Sequence, residues 1–385
     1  MPLARSGKPL WWGLAKPPIT EDLSLMRRLR TFLKDLLPVR HWPEIGENTF
    51  VLWEPCSASH GEIVPGYTKY LMDLGYHVLV LVTPERIDEG LFARFPEGNF
   101  TLARLTQKQI RRFVRSEAIK VAQGILVTTA GKLPTLEDAT PDLEGVFGDL
   151  ARDRIHLVEH NARDRIAAGT WDENLITLRS LVPARPSKVV NPHFFGGFKQ
   201  HRKSKDRVRF LMVGAARAKR RSDDLVFNAA ATLLDDGITN FEIRMIGKPG
   251  KAQILERLEP HFITLGRLSF ADMYDEIEAA DYILSAFQKD GQDHAFYRTT
   301  GTSGSFQLAC GFNTPIVLQE LFTEGTAFNS DNAILYDQDR DFEPAVHRAI
   351  TLSAEEYLTL TDNLQKASND LRTASLANMK DVIDG

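Results

Sequence analysis

The chain has 385 residues, 43% hydrophobic and 25% charged, with a formal net charge of -4. That is about twice the length of a usual domain, with ordinary globular composition and no global field for nucleic acid. Two cysteines, Cys56 and Cys310, exclude a disulfide framework, and no Cys/His group has zinc spacing, so a reducing interior and no metal are expected.

No run is long enough to span a bilayer, and the first residues lack the apolar core of a secretory signal, so a cytoplasmic location is expected. Residues 1–46 read as an appendage. Pro and Gly interrupt 1–19, and Thr20 then opens a helix with Met26, Leu29, Phe32, Leu33 and Leu36 at helical spacing. Arg27, Arg30 and Lys34 share another face. A basic amphipathic helix over 20–37 either packs on its own domain or lies peripherally on anionic lipid at the inner face of a membrane, and Trp11-Trp12 suits the second setting. Both stay open.

Residues 47–198 carry alternating strand and helix signals. Strands are expected at Thr49–Glu54, Val78–Val82, Gly124–Thr128, Arg154–Glu159 and Asn174–Leu178, with a helix near Ile63–Leu74. Continuous apolar runs between helices imply a parallel sheet covered on both faces. Pro183–Pro186, Asn191-Pro192, Gly196-Gly197 and a basic run over 199–209 then mark an interdomain connection. That run has no interleaved aromatic platform, so it reads as a solvated linker, and no nucleic-acid partner is expected.

Residues 199–365 restart the same pattern. Strands are expected at Arg209–Val213, Phe241–Ile246, Ile263–Leu265, Tyr282–Ser285, Pro315–Leu318 and Ala333–Tyr336. Helices follow Ser222 and occupy Phe270–Ala279, and 366–385 forms a helical tail. The fold class is therefore α/β, with two Rossmann-like, doubly wound parallel-sheet domains facing across a cleft. Ligands of such sheets bind at the carboxyl ends of the strands.

Three places could carry chemistry. Gly301, Thr302, Ser303, Gly304 and Ser305 run into an apolar helix through Cys310, so small residues and unpaired N–H groups stand at a helix N-terminus, which favours an anion such as a diphosphate. Arg298 lies at the edge of this loop. A tight capped turn without a ligand is an equal reading of these residues alone. Gly214, directly after a strand, is followed by Arg217, Lys219, Arg220 and Arg221, cations suited to phosphate. His60 and His160 follow strands of the first domain, where a histidine can act as a general base or donate to a phosphate or sugar oxygen. Cys310 reads as core.

Taken in order, these segments resemble the GT-B glycosyltransferases, especially the family 4-like group, over nearly all of 49 to about 340. Phe210–Gly214 with Arg217 and Lys219 is similar to the family's strand, glycine and basic residues that hold the donor diphosphate. Ile243–Gly247 is similar to the next strand and its glycine. Leu265–Ser269 and Met273–Asp281 resemble the segment flanking the base pocket. Leu308–Val317 resembles the stretch with Ala-Cys-Gly before a proline and an apolar strand. His160 falls where many members carry a histidine facing donor and acceptor, and Val189–Pro192 resembles the end of the crossing strand.

The resemblance implies a sugar donor of UDP or GDP type, with no cofactor besides this substrate. The donor would lie on Gly214, Arg217, Lys219, Arg298 and the 301–305 loop, with His60 and His160 as catalytic candidates. It implies transfer to a glycan or lipid-linked acceptor, as in cell-surface polysaccharide synthesis. One departure stands out. Many retaining members carry two glutamates eight positions apart, and Arg298 and Phe306 occupy those places here. Neither accepts a hydrogen bond from a sugar hydroxyl as a carboxylate does. Retention or inversion, a nucleotide-sugar epimerase, and a non-catalytic sugar-nucleotide-binding protein all remain open.

Overall fold

The computed structural model describes residues 42–385, apart from 57–59, 139, 173, 200–202, 205, 215–221, 249–253 and 292–293. The helix expected over 20–37 lies outside the described residues, as do Arg217 and Lys219. Trp42–Gly385 forms one compact unit.

The first half contains β1 (Thr49–Trp53), α1 (Val64–Asp73), β2 (His77–Val82), α2 (Pro84–Asp88), β3 (Phe100–Arg104) and α3 (Gln107–Phe113). It continues through β4 (Gly124–Val127), α4 (Leu143–Phe147), β5 (Ile155–Glu159), α5 (Arg163–Ala168), β6 (Ile176–Thr177) and β7 (Lys188–Val189). All seven strands are parallel, in the order β3-β2-β1-β4-β5-β6-β7. Every residue of β1 is buried, as a strand between two helix layers requires. The order in which strands are added reverses between β1 and β4, so their carboxyl ends form a crevice.

The second half contains β8 (Val208–Val213), α6 (Asp223–Asp235), β9 (Phe241–Ile246), β10 (Phe262–Gly266), α7 (Phe270–Glu278) and β11 (Tyr282–Leu284). There follow α8 (Ala295–Thr299), α9 (Gly304–Phe312), β12 (Ile316–Gln319), β13 (Ile334–Tyr336), α10 (Phe342–Thr351) and α11 (Ala354–Asp384). These six strands are also parallel, in the order β10-β9-β8-β11-β12-β13, with the corresponding crevice between β8 and β11. Ser222 caps α6 by accepting from Leu225 N, and Ser353 with Glu356 forms a capping box on α11.

The expected segment boundaries cut through packed structure. Phe195, before the boundary at 198, packs in the second core with Leu211, Tyr274, Ile283 and Phe312. Arg207 and Arg209, read as linker, pair with Glu242, the second at 2.7 Å, because β8 already begins at Val208. The tail at 366–385 is the second half of α11, a helix with no breaker at 365. It crosses to the first domain, where Met379 joins the core of Phe50, Tyr67 and Val80. Ser375 Oγ accepts from Asn191 N at 3.0 Å, and Asn378 donates to Val189 O at 2.8 Å. No helix among the described residues is long and apolar enough to cross a membrane.

Two seams join the domains on either side of the cleft. In one, Ala162 N donates to Thr300 O at 2.9 Å, Val182 N to Thr299 O at 3.0 Å, and Asn161 pairs antiparallel with Gly301. Buried Arg179 lies in this seam and donates to the carbonyls of Tyr297 (2.6 Å), Arg298 (3.0 Å) and Glu324. In the other, Phe270 N and Ala271 N both donate to Glu89 O, and Arg94 pairs with Asp275 and Glu278.

Candidate functional site

Between the seams the strand ends of both sheets enclose a cleft of about 880 Å³. That size lies within the range of small-molecule and cofactor pockets. One wall comes from the first domain: His60 and Glu62 after β1, Arg86 and Glu89 after β2, Thr129–Lys132 after β4, and Glu159–Asn161 with Asp164 and Arg165 after β5. The other comes from the second: Gly214, Gly247, Arg267–Phe270, Ser285, Phe287, Phe296, Tyr297, Thr302–Ser305 and Gln307.

His60 and His160 meet on the first wall with ring centroids 4.7 Å apart in an edge-on arrangement. His60 sits at φ 66, before the short turn Gly61–Ile63, and this backbone turns its ring toward β5. His160 Nε2 lies 2.7 Å from Thr128 O, and a carbonyl only accepts, so Nε2 carries the proton. Burial, and then the neighbouring His60, push its pKa down to about 3. His160 is therefore a neutral ring whose Nδ1 offers a lone pair. That lone pair can accept a hydrogen bond from a hydroxyl in the cleft, and a ring with so low a pKa binds a proton weakly at neutral pH.

Glu159, one residue earlier, is buried and paired to Arg165 Nε at 2.9 Å, and it accepts from Asn161 N. Burial pushes its pKa up despite Arg165. Beneath the same strand ends, Glu54 accepts from the hydroxyls of Thr128 and Thr129, each at 2.7 Å, and from Cys56 N. Burial outweighs these donors and pushes Glu54 up to about 8. The network ties β1 to β4 and orients the Thr128 carbonyl that holds His160.

On the second wall, Gly214 has φ 115 and ends β8, a conformation that glycine adopts without strain. Thr302, Ser303, Gly304 and Ser305 line the cleft at the start of α9, as expected. Ser303 Oγ caps the helix by accepting from Ser305 N, and Thr302 Oγ1 accepts from Gln307 Nε2 at 3.3 Å. Gly301 and Arg298 differ from expectation, for they stand behind this wall. Gly301 N donates to Phe296 O at 2.9 Å, its strand-like pairing is with Asn161, and a β-carbon there would come 1.9 Å from the Phe296 ring. Arg298 contributes its carbonyl to Arg179. The interdomain seam holds both.

Phe306 also turns away from the cleft, into an aromatic cluster with Phe287 (6.1 Å) and Phe328 (5.6 Å). Beside Ser305, the buried polar side chain that α9 presents to the cleft is Gln307, one position along from Phe306. Glu62 was another residue missed by sequence reading. Its Oε1 lies 3.4 Å from where a Gly304 β-carbon would be, so a carboxylate already stands by the N-terminus of α9. Arg86, Glu89, Glu159, Arg165 and Arg267 were missed as well; only their positions just after strands signalled them. Among the described residues, no group of three His, Cys, Asp or Glu is placed to hold a metal ion.

Two doubly wound domains with a strand-end cleft between them, crossed by a C-terminal helix, make this a protein of the GT-B fold. Solved structures with this architecture include WaaG, a glycosyltransferase involved in lipopolysaccharide biosynthesis, at 13% identity and TM-score 0.50, covering 88% of this chain and 99% of that one. A glycosyltransferase involved in avilamycin A biosynthesis aligns at 14% identity and TM-score 0.52, covering 88% and 98%. An alpha-glucosyltransferase in complex with UDP and a 13-mer DNA aligns at 12% identity and TM-score 0.54, covering 88% and 99%. No family model and no curated protein matches the chain in sequence.

Proposed function

We propose that this protein is a glycosyltransferase that moves a sugar from a nucleoside-diphosphate donor to an acceptor held on the first domain. The carrying observation is the cleft itself, which brings Gly214 and the start of α9 opposite His60 and His160. In this reading the diphosphate lies at the N-terminus of α9, where Ser303 and Gly304 supply backbone donors and Ser305 its hydroxyl, with Arg217 and Lys219 adding charge beyond Gly214. Neutral His160 accepts from a hydroxyl of the sugar or the acceptor and orients it. Gln307 offers an amide to the donor from the position next to Phe306. The structural neighbours named above are glycosyltransferases, and one of them holds UDP, which supports the same reading. Assembly of a cell-surface polysaccharide, on a glycan or lipid-linked acceptor, is the setting we favour.

A non-catalytic sugar-nucleotide-binding role is the second reading, favoured by Phe306, which fills the core where a family carboxylate would face the donor. One experiment separates the two. UDP, GDP and their sugars are screened for a rise in melting temperature, and the stabilising sugar nucleotide is then incubated with the protein, with and without mixed glycan acceptors. Stabilisation with release of nucleoside diphosphate supports the enzyme. Stabilisation without turnover supports the binding protein, and no stabilisation by any nucleotide sinks both.

A further inference from the structure

The rim of the cleft carries a charge arrangement outside the proposed diphosphate contacts, in part on Arg267 of the Leu265–Ser269 segment that resembles the flank of the base pocket. Arg86, in α2 of the first domain, is 7% exposed, and its guanidinium grips Glu89 through Nη1 (2.7 Å) and Nη2 (3.0 Å). Its Nε is buried with no partner, and its guanidinium lies 5.7 Å from the centre of the Phe270 ring. Arg267, from the second domain, reaches the same Glu89 at 3.4 Å, while its side chain stays 61% exposed. Both arginines line the cleft. Two guanidinium groups thus share one carboxylate, and the next acid that acts on Arg86, Glu85, is exposed. A buried guanidinium N–H without an acceptor calls for one, and an oxyanion matches a guanidinium in charge and shape.

We infer that Arg86 and Arg267 form a subsite for an oxyanion, phosphate or carboxylate, carried by the acceptor. The subsite is assembled from both domains, so it exists only when Glu89 is docked on α7 as it is here. It takes Arg86 from the segment after β2, on the wall opposite Gly214 and the start of α9, and Arg267 from just after β10, on their own wall, so an anion held there bridges the two walls of the cleft. Arg86 is the fixed half, clamped by Glu89 and covered by Phe270. Arg267 is the exposed half, and the ligand lies between the two. The word acceptor rests on the glycosyltransferase reading; the anion site does not.

The test uses the intact protein and three probes of matched size, namely glucose 6-phosphate, glucuronate and glucose, with binding followed by ligand-observed NMR. UDP, GDP and their sugars are titrated in a separate arm by thermal shift. The wild type should bind at least one charged sugar about tenfold more tightly than glucose, and Arg267→Ala should abolish that preference. Arg86→Lys should weaken it as well; because Arg86 is buried, the exposed Arg267 variant decides the matter should the other not fold. Binding of only one charged sugar would identify the oxyanion. Equal binding of charged and neutral sugars by the wild type, or a preference that survives Arg267→Ala, would overturn the inference. A preference lost in Arg267→Ala with no stabilisation by UDP, GDP or their sugars would keep this site while removing the glycosyltransferase reading.

Discussion

Arg179 gives the sharpest test of how the two domains are held. It is a buried cation bonded to backbone carbonyls of Tyr297, Arg298 and Glu324, all in the other domain. Arg179→Met keeps much of the stem's volume and removes every donor. Three charge-assisted bonds at about 1.5–3 kcal/mol each set a loss of roughly 5–9 kcal/mol. Against this, burial has pushed the guanidinium from 12.5 down to about 10. At about 1.4 kcal/mol per tenfold change in proton affinity, relief of that burial returns roughly 3 kcal/mol. The expected net destabilisation is about 2–6 kcal/mol. Urea denaturation of the intact chain, followed by tryptophan fluorescence, measures it. Arg179→Lys should fall between, since an ammonium keeps the charge but cannot span three carbonyls. If Arg179→Met lies within about 0.5 kcal/mol of the parent, the seam does not depend on this residue and the reasoning fails.

Four further outcomes are expected. His160 has a depressed pKa, so its neutral form favours the fold above its ordinary value of 6.5, and that contribution declines as pH falls toward 3; ring NMR should show no His160 titration above about pH 5, and an inflection near 6.5 would contradict the buried hydrogen bond to Thr128. Glu54 has a raised pKa, so its contribution is full below 4.5 and is lost as pH rises through about 8; Glu54→Gln should flatten the fall in stability across that window, and an unchanged pH profile would rule out a protonated Glu54. Gly301→Ala places a β-carbon into the Phe296 ring and should cost about 1–3 kcal/mol in denaturation, whereas a neutral effect would mean the seam is loose. Glu62→Gln removes a carboxylate from the N-terminus of α9 and should tighten UDP binding by about 1 kcal/mol, read by calorimetry; weaker binding would mean Glu62 helps the nucleotide.

The central strands were legible because a parallel sheet covered on both faces writes each strand as an unbroken apolar run, as in Val78–Val82 and Phe241–Ile246. β3 and β7 were not, since Phe100–Arg104 is half exposed and Lys188–Val189 is only two residues long. Glycines at strand ends, such as Gly214 and Gly247, pointed to the cleft because glycine there signals a sharp backbone turn. Side-chain direction within α9 was harder: Phe306 and Gln307 are neighbours in sequence, yet one enters the aromatic core and the other the cleft. The contacts of the seams were silent, and two of their residues, Arg298 and Gly301, were read as facing the cleft. Arg179 and Glu89 O bridge the domains through backbone groups more than a hundred positions away, which no local pattern encodes.

The return of α11 to the first domain bears on how the chain is made. The core around Phe50, Tyr67 and Val80 is completed by Met379, and the main chain at Asn191 is satisfied by Ser375. A ribosome releases the first sheet long before either residue exists. The nascent first domain must therefore wait, with an apolar flank uncovered, until the second domain and most of the helix have emerged. Stalled or truncated chains ending before about 375 should accordingly be substrates for chaperones and proteases, even though both sheets are fully synthesised.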